Sequence, residues 1–134
     1  MADLDRFKTT NDRYGHVAGD RVIVESVAGV VSAVRDDDLV GRVGGDEFMV
    51  CLRGISSHLM VEAVAQRMCA AVREAAEASD DDHGPVSISL GIALYPQDGV
   101  TYEELYRKAD KALYCAKRAG GGTYAFYRDE PAAS

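Results

Sequence analysis

Between positions 17 and 34, apolar residues recur at Ile23, Val27, Val30, Val31 and Val34, a spacing that lines one side of a helix. Many of them are β-branched, which lowers local helix propensity, so tertiary packing has to hold this segment. A second stripe, Met60, Val64, Met68, Ala71, Val72 and Ala75, has the same period, and its methionines read as core filler rather than ligands. "TYEEL" opens a third helix. Thr101 and Glu104 have the spacing of a capping box, and the inner face falls on Leu105, Ala109, Ala112, Leu113 and Ala116.

The period changes to two in "VSISLGIAL", where Val86, Ile88, Leu90, Ile92 and Leu94 alternate with Ser87, Ser89, Gly91 and Ala93. A second face made of such small residues implies close approach of a helix or a ligand. "LVGRV" and "EFMVCL" predict the arms of a hairpin, with Gly44 and Gly45 supplying positive-φ positions at its tip. "TYAFY" predicts a last strand, and residues 1–4 the stub of a first. The order β-α-α-β-β-α-β-α-β predicts an α/β (α+β) domain of elaborated ferredoxin-like type. It has a mostly antiparallel sheet, flanking helices and a truncated first strand. The acidic clusters "RDDDL" and "SDDDHGP" read as solvated loops, and residues 128–134 as a frayed tail, leaving 1–127 as the domain.

Composition narrows the partners. With 134 residues and 47% apolar content the chain forms one domain with a real core. A net charge of −7 argues against tracking a nucleic-acid backbone, but leaves room for a small anionic ligand that arrives with cations. No apolar run reaches the length of a membrane span, and "MADLDRFK" lacks a signal-peptide core. Cys51, Cys69 and Cys115 show no metal-ligand spacing and read as buried thiols in a reducing cytosol. The expectation is a cytoplasmic chain without membrane contact.

The candidate chemistry is acidic. Asp3 and Asp5 end the first strand, and Asp46 and Glu47 follow the hairpin glycines. In a ferredoxin-like sheet those strands can be neighbours, bringing Asp3 beside Asp46 and Glu47. Three carboxylates converging without a basic partner repel one another, and a hard divalent cation removes the conflict. The other reading is of acids in a solvated turn. Downstream, Lys8 is either a phosphate contact or a surface lysine. The amides around Arg6, Phe7 and Lys8 sit where a strand passes into a helix and can cradle anionic oxygens. Asn11 and Asp20 offer an amide and a carboxylate, the acceptors that would select guanine, or are a turn residue and a first-turn acid.

Taken together, "DLDRFKTTNDRYGHVAGD", "RVGGDEF", "VSISLGIA" and "KADKALYCAKRAGGG" resemble the GGDEF domain family, the diguanylate cyclases, in the family's order and approximate spacing from position 1 to about 127. The resemblance implies a nucleotide-cyclase-like palm domain that condenses two GTP molecules into cyclic di-GMP and releases pyrophosphate. Asp3 then looks like the metal carboxylate of the first strand, with the Leu4 carbonyl as a further ligand. Asp46 looks like a metal ligand that also helps activate the 3′-hydroxyl, and Glu47 completes the acidic, catalytic site. Asn11 and Asp20 look like guanine readers; Phe7, Lys8 and Lys117 look like phosphate contacts. Gly44 and Gly45 would let the nucleotide lie close over the hairpin. Two Mg²⁺ (or Mn²⁺) ions per site would neutralise the triphosphate and lower the pKa of the attacking hydroxyl. One domain holds one GTP, so the family pattern implies a homodimer, controlled by an upstream sensory or receiver domain.

Arg35 and Asp38, in "RDDD", read on their own as an exposed ion pair worth under about 1 kcal/mol. In this register they resemble the family's inhibitory site for cyclic di-GMP, with Arg53 as a supplementary contact. The alternative within the same resemblance is a catalytically impaired module that binds GTP or cyclic di-GMP as a sensor. The chain departs from the family pattern in three places. Members carry a fuller first strand ahead of the position of Met1, so Asp3 is expected to be loosely held. Gly120-Gly121-Gly122 stands where Gly-Arg-Asn is frequent, which removes an expected phosphate contact that Arg118 is poorly directed to replace. Thr10 stands where an apolar residue is usual, at a small expected cost in stability.

Overall fold

A strand of only three residues lies at the middle of the sheet. A computed structural model describes residues 1–80 and 82–128, with β1 at Ala2–Leu4, α1 at Phe7–Tyr14, α2 at His16–Ala33, β2 at Leu39–Gly44 and β3 at Glu47–Cys51. The remaining elements are α3 (His58–Glu77), β4 (Ile88–Ile92), α4 (Tyr102–Arg118) and β5 (Tyr124–Phe126). The spatial order is β2-β3-β1-β4-β5, antiparallel except for the β4–β5 pair. That last pair is parallel because α4 forms the crossover that parallel neighbours require. The expected order and the mostly antiparallel sheet are both present. The frayed-tail expectation concerns residue 128 and residues 129–134, and the latter lie outside the described residues.

Strand alternation divides the molecule into two faces. Ala2, Leu4, Phe48, Ile88 and Leu90 point into the main core with Val22, Val30, Ala65, Met68 and Val72 of α2 and α3. Residues Asp3 and Ser89 therefore lie on the opposite face, the one covered by α4 through Ala109, Ala112, Leu113 and Ala116. Thr101 accepts from the Glu104 amide and the Glu104 side chain from the Thr101 amide, so the capping box that starts α4 is complete.

Four expectations need correcting. Val31 does not belong to the buried stripe of α2 but is 51% exposed, because the helix turns Val22, Ser26, Gly29 and Ala33 inward instead. Of the hairpin glycines only Gly45 has positive φ (52°); Gly44 pairs with Glu47, so the tip is Gly45-Asp46. A turn with positive φ at its first central residue alone needs only one glycine. Within "SDDDHGP", His83 is buried rather than solvated, with Nε2 3.2 Å from a Glu25 carboxylate oxygen. Of the three cysteines expected to be buried only Cys69 is, and burial pushes its thiol up to about 11; Cys51 and Cys115 are exposed, on the outer side of a strand end and of α4.

Candidate functional site

Asp3 is fixed from both sides despite the brevity of β1. It stands opposite Glu47 of β3 and opposite Ser89 of β4, and the next amide, Leu4 N–H, donates to the Asp46 carbonyl at 3.2 Å. Backbone pairing to two neighbours ties down even this three-residue strand. The register sets acids against each other: like charges directly opposite on a sheet are unfavourable. Burial, foremost, and a hydrogen-bonding contact with the Asp46 carboxyl push the Asp3 carboxyl up to about 7, against the pull of Lys117 and with further push from the charges of Asp46 and Glu47. Asp3 Oδ1 is buried and has no hydrogen-bond partner.

Such an orphaned, hard oxygen is what a divalent cation would satisfy. The neighbouring donors (the Asp46 and Glu47 carboxyls and the Leu4 carbonyl) are all oxygens, the chemistry that suits Mg²⁺ or Mn²⁺. Among the described residues no three His, Cys, Asp or Glu side chains are gathered closely enough to enclose an ion by themselves. An incomplete protein sphere fits an ion that keeps waters and takes oxygens from a phosphate.

Asp5, two residues on, is bound differently. It accepts from Ser87 Oγ and Ser89 Oγ, both at 2.6 Å, from Lys117 Nζ at 3.0 Å and from the Gly122 amide at 2.7 Å. Burial raises its pKa, but these four donors outweigh it and hold the carboxyl below its ordinary range. Here the small face of β4 meets its partners: the serines meet Asp5, and Gly91 meets α4. The three glycines of 120–122 also find a reason. All have positive φ, and a Cβ on Gly121 would lie 2.9 Å from the Asp5 carboxyl. Gly121 and Gly122 thus lie against Asp5, and any side chain at 121 would have to displace its carboxyl.

The second cluster forms where β1 passes into α1. Arg6 has φ 54° and ψ 35°, the one non-glycine with positive φ among the described residues, and α1 starts at Phe7 with no side-chain cap and no acid in its first turn. Its leading amides are thus left for an anionic partner, with exposed Lys8 beside them. Thr10 is buried, and its hydroxyl donates to the Arg6 carbonyl at 3.3 Å, so the polar group is satisfied at the unusual position. Asn11 reaches across to α2, and Phe7 packs at the same point: a Cβ on Gly19 would lie 1.8 Å from Asn11 Oδ1 and 3.4 Å from Phe7 Cζ. Gly19 is thus what lets Asn11 lie against α2, one residue before Asp20 in the chain. Asp20 itself is exposed and sits beyond the first turn of α2, which begins at His16, so the helix dipole does not explain it.

Gly19→Ala is expected to leave the fold intact, since alanine favours the helix by up to about 1 kcal/mol, and to push the Asn11 amide away. The melting temperature should stay nearly unchanged in thermal denaturation, because the Asn11 side chain can give way. A large loss of stability would show that Asn11 is held rigidly against α2.

Gly44 and Gly45 face open space, with nothing within 4 Å of an added Cβ. Arg35 and Asp38 lie at the other end of the hairpin from the acidic site, joined to Arg53. Asp38 accepts from the Arg53 and Arg35 amides, each at 2.9 Å, and Arg35 Nη2 donates to the Arg53 carbonyl at 3.1 Å. Those amides, Arg53 first, hold the Asp38 carboxyl below its ordinary range. The three residues are therefore one loop staple, not a free ion pair. An apolar-lined cleft of about 550 Å³ lies elsewhere, where β3 and β4 run on past the start of β1. It is apolar, lined by Met49, Leu94, Leu105 and Tyr106, and holds none of the candidate acids. No helix among the described residues is long and apolar enough to cross a membrane.

Residues 1–123 match the family model described as "Diguanylate cyclase, GGDEF domain". The diguanylate cyclase TpbB of Pseudomonas aeruginosa is 40% identical over 121 residues, covering 90% of this chain and 28% of TpbB. The chain thus spans under a third of the length of that relative. The solved GGDEF domain of TpbB superposes with a TM-score of 0.86 at 38% identity, over 95% of this chain and 74% of that one. The active GGEEF domain of a diguanylate cyclase from Vibrio cholerae has a TM-score of 0.79 at 29% identity, over 96% and 81%. The coiled coil and GGDEF domain of DgcB from Caulobacter crescentus, solved in complex with c-di-GMP, has 0.78 at 25% identity, over 93% and 66%.

Proposed function

Since the chain belongs to the GGDEF family of diguanylate cyclases, we propose that it condenses two GTP molecules into cyclic di-GMP with release of pyrophosphate, as a homodimer in which each domain presents its own nucleotide. The observation that carries this reading is the buried Asp3 Oδ1, without a hydrogen-bond partner and faced by the Lys117 ammonium at 3.6 Å, on a carboxyl set against Asp46 and Glu47 shortly before the uncapped start of α1. Asp3, the Leu4 carbonyl, Asp46 and Glu47 would hold Mg²⁺ or Mn²⁺, which when bound supplies charge neutralisation for the triphosphate and a lowered pKa for the attacking 3′-hydroxyl. Asn11 and Asp20 accept hydrogen bonds from the guanine edge. The α1 amides at Phe7 and Lys8, with the Lys8 and Lys117 ammonium groups, bind phosphate oxygens. The open face above Gly44 and Gly45 leaves the base and sugar room to lie over the hairpin. Product binds at Arg35 and Asp38, where the loop staple already fixes the backbone and leaves most of the Arg35 guanidinium exposed.

A second reading, a module that binds GTP or cyclic di-GMP without turnover, is favoured by one observation. Lys117 is tied to Asp5, and the glycine loop leaves no arginine to share its work. Incubation with GTP and Mg²⁺ at several protein concentrations, with chromatographic detection of cyclic di-GMP, separates the two. A rate per protein that rises with concentration, and falls at least 100-fold in Asp46→Ala, supports the dimeric cyclase. Nucleotide binding without product supports the module.

A further inference from the structure

The last turn of α4 delivers a lysine to the acidic strand. Lys117 follows Leu113 by one turn, and Leu113 and Ala116 anchor that end of the helix against the sheet. Its ammonium donates to the Leu4 carbonyl at 3.0 Å and to Asp5 Oδ1 at 3.0 Å, and stands 3.6 Å from Asp3 Oδ1. Two of these three oxygens, Asp3 Oδ1 and the Leu4 carbonyl, belong to the set that would hold a divalent ion. The ammonium therefore already lies against that donor set. The geometry of the acids explains why it is there: Asp3, Asp46 and Glu47 carry charge of one sign, and a cation close by lowers their mutual repulsion.

We propose that Lys117 is the resident counter-cation of the acidic site, and that it must leave the Leu4 carbonyl before a divalent ion can take the same oxygens. The inference rests on the metal and nucleotide reading above and deepens it. A divalent ion bonded to the Leu4 carbonyl and Asp3 lies within a few ångströms of the Nζ position, where two cations repel strongly. Lys117 has a retreat, because Asp5 keeps one bond to it while its remaining donors turn outward to phosphate. Metal entry and phosphate capture are then coupled: nucleotide draws Lys117 off the Leu4 carbonyl and favours the ion, and by linkage the ion favours nucleotide. Lys117 is a positioning residue in this role. The device also keeps the free chain from binding divalent ions tightly without nucleotide.

The test is Mn²⁺ binding to the nucleotide-free chain, read from the free-ion signal in electron paramagnetic resonance. Lys117→Met should bind Mn²⁺ roughly tenfold more tightly than the wild type, while its affinity for GTP falls. Circular dichroism establishes that the variant is folded. A wild-type measurement covers the case in which it is not: in lysine-labelled chain, saturating Mg²⁺ should shift the ε-carbon resonance of Lys117 and leave that of Lys108 in place. Equal or weaker Mn²⁺ binding by a folded Lys117→Met, or a Lys117 resonance unmoved at Mg²⁺ saturation, overturns the proposal. Mn²⁺·GTP binding by the wild type is the control that separates the two failures. If it binds and the variant shows no gain, the counter-cation role alone falls; if it does not bind, the metal and nucleotide reading falls with it.

Discussion

Asp3→Asn is expected to stabilise the metal-free chain by about 1–2 kcal/mol while ending the turnover proposed above. The carboxyl is held far above its usual range by burial, by Asp46 and by the charge of Glu47, so its ionised form is unwelcome in the folded state at neutral pH. A carboxyl raised to about 7 corresponds nominally to several kcal/mol of strain against the charge, which solvent reaching this half-buried site reduces to the figure above. An amide keeps the shape, removes the charge and can leave an oxygen facing Lys117. Urea denaturation in the presence of a chelator checks the first half, and product formation the second. A less stable variant would show that the acids of β1 and β3 are not in conflict. The pairing of higher stability with lost activity marks a charge retained for function against the interest of the fold.

Gly91→Ala is the largest structural effect expected, a loss of about 3 kcal/mol. A Cβ at this position would lie 2.0 Å from the Ala109 carbonyl oxygen, 2.3 Å from the Leu113 nitrogen and 2.8 Å from its Cα. These are backbone atoms of α4, so no rotamer change relieves the overlap and the whole helix has to move outward. The same movement withdraws Lys117 from Asp5 and the Leu4 carbonyl, so the variant should also lose the nucleotide binding proposed above even where it stays folded. For a domain whose total stability is of order 5–15 kcal/mol the loss is a substantial share. A change below about 1 kcal/mol in urea denaturation would mean that α4 rides loosely on β4.

Much of this was legible in the pattern of residues. The helical stripes, the capping box at Thr101 and Glu104 and the period-two run of β4 are local signals, and each element formed where its signal lay. The four motifs carried the family, because their order and spacing are properties of the chain alone. Asp3, Asp46 and Glu47 could be placed together because strand pairing in a ferredoxin-like sheet follows from the order of elements. What the pattern missed depends on direction in space. Val31 has the same spacing as its buried neighbours but falls on the outer side of α2. Gly19, a glycine inside a helix, was the only hint that a side chain from α1 lies against it. Ser87 and Ser89 signalled a close approach without saying that its object was a carboxylate.

The sequence by itself determined the elements, their order, the family and the residue types able to meet metal, phosphate and guanine, since these depend on spacing along the chain. Only the tertiary structure decided that Asp5 is a hub for four donors and that Gly121 and Gly122 lie against it. Only it showed Asp38 stapling a loop through two amides, and Lys117 seated among the oxygens of the acidic strand. Those facts turn on contacts across gaps of 80 residues or more, or between loops brought together by the hairpin. No local period encodes such distances; packing and charge balance set them once the sheet has closed.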